Sequence, residues 1–284
     1  MFPDDDACLE HIMRERYGAK HKCGKCGKQA RYYRVKKRRS YECEYCGNQV
    51  YPTAGTPFHK SRTPLTLWFH VMLMFCASRN GVSGKEIQRI TGDTYKTAWR
   101  MGHVIRKYME YIDGNRPLGG PDGNPVEADK TFVGGKDKMG KDDKAVVLGM
   151  VERGGRAITR VVKSRRSFDV LPYVFNDVKK GSTVYTDDAH AWNELRWSKD
   201  YDHETLNHTK GEYTRGTVST NSIEGFWANV KRMIEGTHIW VSKRHLQKYL
   251  WEAEFRHNLR KRPDLMMRWL LTAYPAPKRR ATSL

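Results

Sequence analysis

Pro125-Val-Glu-Ala-Asp-Lys-Thr-Phe-Val133, followed by Gly134-Gly135, is the stretch on which the fold turns. Its run of apolar and β-branched residues reads as a strand, and the glycine pair ends it. Yet it carries Asp129 at mid-strand, with Val126 and Phe132 as the apolar partners. A carboxylate in a central strand is costly to bury unless it is paired or metal-bound. Toward the C-terminus, Ala145 to Val151 and Arg156 to Val162 read as the next two strands, joined through Gly154-Gly155. Ser167 to Lys179 is expected as a helix with Pro172 in its first turn, where proline is tolerated. Ser182 to Thr186 is a short strand that ends in Asp187-Asp188. Ala189 to Trp197 is a short helix, and Tyr201 to Leu206 a further strand. Ser222 to Met233 and Ser242 to Arg260 are helical.

Three strands, helix, strand, helix, strand, helix is the order expected of a ribonuclease-H-like α/β fold over 125–262. Asp187 falls at the end of its strand. Glu224 falls near a helix start, in Asn221-Ser-Ile-Glu-Gly-Phe-Trp227. Converging carboxylates of this kind bind divalent cations through oxygen, and two such ions suit phosphodiester chemistry. Any one of these acids alone reads more readily as a cap, turn or surface residue; the combined pattern, with Gly134-Gly135 after the first strand and Phe226-Trp227 after the last acid, is what points to a metal site.

On the N-terminal side, 114–124 is rich in Gly, Pro and Asn and is expected to be a linker. Before it, 60–113 has helical periodicity, with Leu65, Trp68, Phe69, Met72 and Phe75 on one stripe. Ser83 is an expected N-cap, with Glu86 three residues on. The helix it starts is joined through Thr91-Gly92-Asp93 to a second one. This is the pattern of a helix-turn-helix, with Tyr95, Lys96, Arg100 and His103 as groove contacts.

Further out, Cys23-x2-Cys26 and Cys43-x2-Cys46 are separated by sixteen residues, and each pair is followed by glycine. Two such knuckles suit a four-thiolate zinc site within 20–59. The site is structural, because the protein supplies every ligand. Between them Lys28 to Tyr41 reads as a hairpin. From Lys20 to Arg39 there are ten Lys/Arg and no Asp/Glu, and Lys36, Lys37, Arg38 and Arg39 are consecutive. Like charges at this density repel unless an anion neutralises them, so a phosphate-binding face is expected. Cys8 and Cys76 lack partner spacing; Cys76 is expected in core. Residues 1–19 are expected as a helical or flexible segment.

Over the whole chain, 284 residues carry 52 Lys+Arg against 32 Asp+Glu, a net charge of +20. The anionic partner this implies is nucleic acid before an acidic membrane surface. A hydrophobic fraction of 38% excludes a wholly disordered chain. Leu65 to Ala77, the longest apolar run, is too short to span a bilayer, so no membrane partner is expected. The acidic N-terminus lacks a signal-peptide core, and a cytoplasmic location is expected. Residues 263–284 are expected as a basic tail on the DNA backbone, since 255–284 has eight Lys/Arg against Asp264 alone.

These segments together resemble the zinc-ribbon DDE transposases of bacterial insertion sequences, the ISXO/Merlin type. The stretches that carry the resemblance are Val126 to Gly135, Tyr185-Thr-Asp-Asp188, Asn207-His208, Gly211-Glu-Tyr213 and Thr220 to Trp227. Val230 to His238, Lys243 to Leu250 and Glu254 to Arg260 complete it. The resemblance implies a catalytic site of Asp129, Asp187 and Glu224 holding Mg²⁺ (or Mn²⁺). Asn221, one turn before Glu224, is the alternative third ligand. It implies terminal DNA contact by Lys231, with Arg232 beside it, and binding of element ends and target DNA. It implies cleavage and strand transfer by a homodimer or higher synaptic assembly, associated with the bacterial nucleoid. Lys130 stands where an acid is usual in the family, Ser219 where histidine is common, and Trp240 in a stretch often polar. The alternatives left open are a catalytically impaired zinc-ribbon/helix-turn-helix DNA-binding protein, a nuclease of the same fold, and a zinc hydrolase using His203 and His208.

Overall fold

The computed structural model describes residues 2–114, 116–135, 144–206, 214–215 and 218–277. Asn207-His208 and Gly211-Glu-Tyr213 lie outside the described residues. The chain divides into two units. One is formed by Met1–Ser78, Gly84–Tyr108 and Asp264–Leu284, the other by Arg79–Ser83 and Met109–Pro263.

The first unit opens with helix α1 (Asp5–Tyr17). Asp4 caps it, accepting the Ala7 amide at 2.8 Å. Asp5 and Asp6 follow in the first turn, where negative charge is favoured. A two-stranded and a three-stranded sheet build the ribbon. β1 (His21–Lys22) pairs with β2 (Gln29–Ala30), and β3 (Tyr32–Val35) and β5 (Gln49–Val50) flank β4 (Ser40–Cys43), all antiparallel. The expected hairpin is therefore β3–β4, turning at Lys36 to Arg39. Three helices follow: α2 (Leu65–Ala77), α3 (Gly84–Thr91) and α4 (Tyr95–Asp113). All five residues of the stripe expected on α2 are buried, with Val71 added.

The second unit follows the expected order of strands and helices, with one small strand pair added. β6 (Val126–Val133), β7 (Ala145–Glu152) and β8 (Ala157–Val162) form an antiparallel meander. Helix α5 (Ser167–Asp177) leads to β9 (Thr183–Asp187). A 3₁₀ turn (His190–Trp192) and α6 (Asn193–Trp197) lead to β10 (Asp202–Leu206). A small pair, β11 (Thr214–Arg215) and β12 (Val218–Ser219), precedes α7 (Asn221–Met233). A π-helical turn (Ile234–His238) and α8 (Lys243–Asn258) follow. The five-stranded sheet has the order β10-β9-β6-β7-β8, with β9 parallel to both of its neighbours.

Strand alternation divides this unit into two layers. Val126, Ala128, Leu148, Met150 and Ile158 pack with Val170, Leu171 and Val174 of α5 and with Trp192. On the other face, Val147, Val151 and Ala157 pack with Ile223, Phe226, Trp227 and Val230 of α7 and with Leu246 and Leu250 of α8. Gly149 lies on this second face. A Cβ there would meet the Trp227 ring at 2.4 Å, so glycine sets how closely α7 approaches the sheet.

Three expectations need correction. Pro172 sits inside α5 and not in its first turn. The stretch 114–124 is not a free tether: Leu118 is buried in the core and bridges in parallel to Val178. The stretch 263–284 begins as a helix, α9 (Asp264–Thr272), which buries Met266 and Leu270 and packs on α1 and α2. Its apolar positions outweigh its basic composition, because Arg268 alone interrupts Leu265 to Leu271.

Candidate active site and metal centres

Cys23, Cys26, Cys43 and Cys46 bring all four sulfurs within 4.8 Å of one another. Cys23 and Cys46 Sγ are 3.6 Å apart, and Cys26 and Cys43 Sγ are 3.9 Å apart. A tetrahedron of thiolates at the usual ~2.3 Å zinc–sulfur distance has edges of about 3.8 Å. The set therefore fits zinc. Gly27 and Gly47 have φ of 71° and 65°, a conformation open to glycine. Their amides turn back onto the carbonyls of Cys23 and Cys43 at 2.9 and 3.0 Å. Burial pushes the Cys23 thiol up, but the amides of Cys26 and Lys25 and the Tyr32 hydroxyl bring it below its ordinary value, while its neighbour Cys46 is raised.

Among the described residues, no other three metal-type side chains converge this tightly. The acids of the second unit form a looser arrangement, built on β6. The parallel register matches Val126 with Val184 and Glu127 with Tyr185. Continued by two residues, it sets Asp129 level with Asp187. Burial, and then the negative charge of Asp187, hold the Asp129 carboxyl above its ordinary range. Each acid is held by one indole. Trp227 Nε1 donates to Asp129 Oδ2 at 3.0 Å, and Trp192 Nε1 donates to Asp187 Oδ1. The charge of Asp187 that reaches Asp129 is of the kind a hard divalent cation neutralises through oxygen, although the two carboxylates bond indoles of opposite layers.

Glu224 lies exposed in the first turn of α7 and accepts the Thr220 hydroxyl at 3.1 Å. Asn221, the first residue of that helix, is exposed as well. Glu224 is thus on the element that carries Trp227, but its carboxylate does not close a tight three-acid cluster with Asp129 and Asp187. Lys130 points to the opposite sheet face from Asp129. Its side chain is 1% exposed, with Nζ 3.9 Å from the Trp192 ring centroid and 4.0 Å from Asp187 Oδ1. Burial pushes its pKa down, while Asp187 and Asp129 push it up.

The residue with most contacts here is Glu127, which carried no role in the sequence. Its side chain is fully buried. It accepts the Ser222 and Ile223 amides at 2.8 and 3.0 Å, the Ser222 hydroxyl at 3.0 Å, and two Arg153 nitrogens at 3.1 and 3.0 Å. Arg153 also donates to Ser219 Oγ at 2.9 Å. Glu127 therefore ties the N-terminus of α7 to β6 two residues from Asp129. The available signal was parity, since Glu127 and Asp129 share one strand face.

Lys36, Lys37 and Arg38 are exposed at the β3–β4 turn. Arg39 is occupied, donating to Asp5 Oδ2 at 2.9 Å and to the Ser61 carbonyl at 3.0 Å. Lys96 and Arg100 are exposed on α4, where Arg100 lies 5.6 Å from the Trp68 ring. His103 is buried, stacked on Trp99 at 3.8 Å. Lys231 and Arg232 are exposed near the end of α7. His203 bonds Thr186 Oγ1 at 2.9 Å, and burial lowers its pKa to about 4. His208 lies outside the described residues.

A four-cysteine ribbon and a mixed α/β unit with acids on adjacent strands make up the two parts of the protein. Residues 117–258 match the ISXO2-like transposase domain, and residues 3–49 match the transposase zinc-ribbon domain. The chain belongs to the ISXO2-like transposase family. A Halobacterium salinarum protein named "Uncharacterized protein in transposable element ISH50" is 26% identical over 252 residues, covering 81% of this chain and 82% of that protein. A Haemophilus influenzae "Uncharacterized transposase-like protein" is 31% identical over 103 residues, covering 36% of this chain and 81% of its own length. No helix among the described residues is long and apolar enough to cross a membrane.

Proposed function

We propose that the chain is a DNA transposase that binds the terminal inverted repeats of an insertion sequence, cleaves the element's ends and joins them to target DNA. The observation that carries this reading is the lateral adjacency of Asp129 and Asp187 on parallel strands of a unit matched by a transposase family. The sheet order, with a meander followed by two parallel strands, supports a ribonuclease-H-like core. Asp129 and Asp187 would hold Mg²⁺ or Mn²⁺, with Glu224 or Asn221 as the third ligand. When bound, the metal supplies Lewis acidity to the phosphodiester and lowers the pKa of a water or 3′-hydroxyl.

The chain's own residues do the rest by positioning. The Trp227 and Trp192 indoles fix the rotamers of the two aspartates, and each leaves the partner oxygen for cation and substrate. Glu127 and Arg153 lock α7 so that Glu224, Asn221 and Lys231 approach from one helix. Lys231 and Arg232 meet terminal phosphates. The α3–turn–α4 pair acts as a helix-turn-helix that presents Lys96 and Arg100, while the β3–β4 turn presents Lys36, Lys37 and Arg38. Arg39 braces that turn from inside. Two ends joined in one event require a homodimer or larger assembly, and the bacterial nucleoid is where such an assembly would work.

The test is cleavage and strand transfer on labelled element ends with Mg²⁺. Asp129→Ala and Asp187→Ala should each abolish both steps; equal activity in all three proteins would end the metal-site reading. One observation favours a second reading, an impaired DNA-binding protein: the buried Lys130 ammonium adds positive charge beside Asp187. Undiminished DNA binding with no Mg²⁺- or Mn²⁺-dependent cleavage by the wild type would select it, and hydrolysed ends without joined products would select a nuclease.

A further inference from the structure

The segment after α7 leaves apolar side chains in solvent at a strained point of the backbone. The π-helical turn Ile234–His238 ends at Ile239, with φ 63° and ψ −53°. The Trp240 amide bonds the His238 carbonyl at 2.6 Å. This is a γ-turn with positive φ at its centre, a rare and strained form that is least suited to a β-branched residue. Ile239 is nonetheless 84% exposed and Trp240 43% exposed. Its base is held firmly. Thr237 Oγ1 donates to the Asn80 carbonyl at 2.8 Å, and the His238 ring packs edge-on to Tyr249 at 4.7 Å. Strain held rigidly at a surface, with nothing apolar covering it among the described residues, points to a ligand.

Ile239 and Trp240 form one wall of a cleft of about 380 Å³, whose other lining residues include Phe132, Gly134, Lys231 and Glu235. Phe132 is 47% exposed. The cleft opens at the end of β6. Three residues from Asp129 along a strand is about 10 Å, one to two nucleotides from the proposed scissile phosphate. The exposed Trp240 indole with a lysine at the side matches an unpaired nucleotide, a base on the ring and its phosphate on the ammonium, while the Phe132 ring at the cleft edge lies 5.5 Å from the Arg165 guanidinium. Glu235 disfavours a phosphate deep in the cleft and can accept from a base amine. We propose that this cleft takes a single extrahelical base of the bound DNA, stacked on Trp240, with Ile239 as the wedge that keeps it out of the duplex.

The inference rests on the reading of the chain as a DNA transposase, and the two fail separately. The probes are a duplex with one extrahelical 2-aminopurine and the same duplex fully paired, both bound to the full zinc-loaded chain at fixed salt. The wild type should prefer the bulged duplex roughly tenfold and quench its fluorescence. Trp240→Ala and Ile239→Ala should bring the affinity ratio near one, and Trp240→Phe should keep most of it. Trp197→Ala, at another exposed tryptophan (85%), should leave the ratio as in the wild type. Binding of the paired duplex without preference for the bulge, or a preference that survives Trp240→Ala, overturns the cleft assignment alone. Binding of neither duplex overturns the transposase reading with it.

Discussion

Glu127 accepts from two main-chain amides, a hydroxyl and a guanidinium, all at one fully buried carboxylate. Removing it would leave the Ser222 and Ile223 amides without their acceptor and take from Arg153 its carboxylate partner. Removing one partner of such a pair costs about 3–5 kcal/mol. Glu127→Ala should therefore lower the stability of the second unit by that amount in urea titrations, and Glu127→Gln, which keeps an acceptor oxygen, by clearly less. Gly149 acts on the site by shape. An added methyl would lie 2.4 Å from Trp227, so the indole must move, and with it the bond to Asp129. Gly149→Ala should cost about 1–3 kcal/mol from overpacking and reduce end cleavage far more than that loss of fold accounts for. Cleavage that falls only in step with folded fraction would show that Trp227 does not position Asp129. Asp129 was legible in the sequence because a mid-strand acid violates the apolar pattern. Glu127 was not, because a second acid in the same strand reads as polar alternation until its partners on α7, some 95 positions on, are in view.

At the scale of elements, the outer strand β8 is closed off by a helix. Gln247, Glu254 and Asn258 of α8 accept the amides of Val161, Thr159 and Ala157 at 2.8, 2.9 and 2.7 Å, occupying an edge that could otherwise pair with another chain. Glu254 is buried there, and its pKa is raised from 4.5 to about 8. Burial is the main cause; Asp113 adds to the rise, while Thr159 and Arg160 oppose it. The folded state thus binds a proton that the unfolded state has released. Its contribution is complete below about 4.5 and is lost as pH rises through about 8. Melting temperature should fall over that window, and Glu254→Gln should flatten the fall. A variant with the wild-type slope would assign it to other groups. The order of strands and helices was legible because periodicity switches cleanly between β and α segments. The interlocking of α8 with β8 was not, since Gln247, Glu254 and Asn258 look like any solvated helix face. Leu118 was hidden in the same way, as one apolar residue in a glycine- and proline-rich stretch.

Over the whole molecule, some of the acids are committed to arginines, and cations stay in excess. Asp5, Asp6, Asp113, Glu127, Asp177 and Glu252 each pair with an arginine. With a net charge of +20, the surface left over should be strongly basic. The excess was legible from composition, but the choice of residues was not. Arg39 looked equivalent to its three neighbours, yet Asp5, 34 positions away, claims it. Counterion release gives the excess a measurable form, because each phosphate neutralised adds about 0.9 to the slope of log K against log salt. Lys36→Ser, Lys37→Ser and Arg38→Ser together should make that slope shallower by nearly three, whereas Arg39→Ser should act through stability of the β3–β4 turn. Zinc removal by a strong chelator should match the triple variant or exceed it, because the four cysteines hold β3 and β4 in register. If the slope is unchanged in the triple variant while chelation still abolishes binding, the ribbon contacts DNA through another face, with the exposed Tyr33 and Tyr45 as the first residues to substitute.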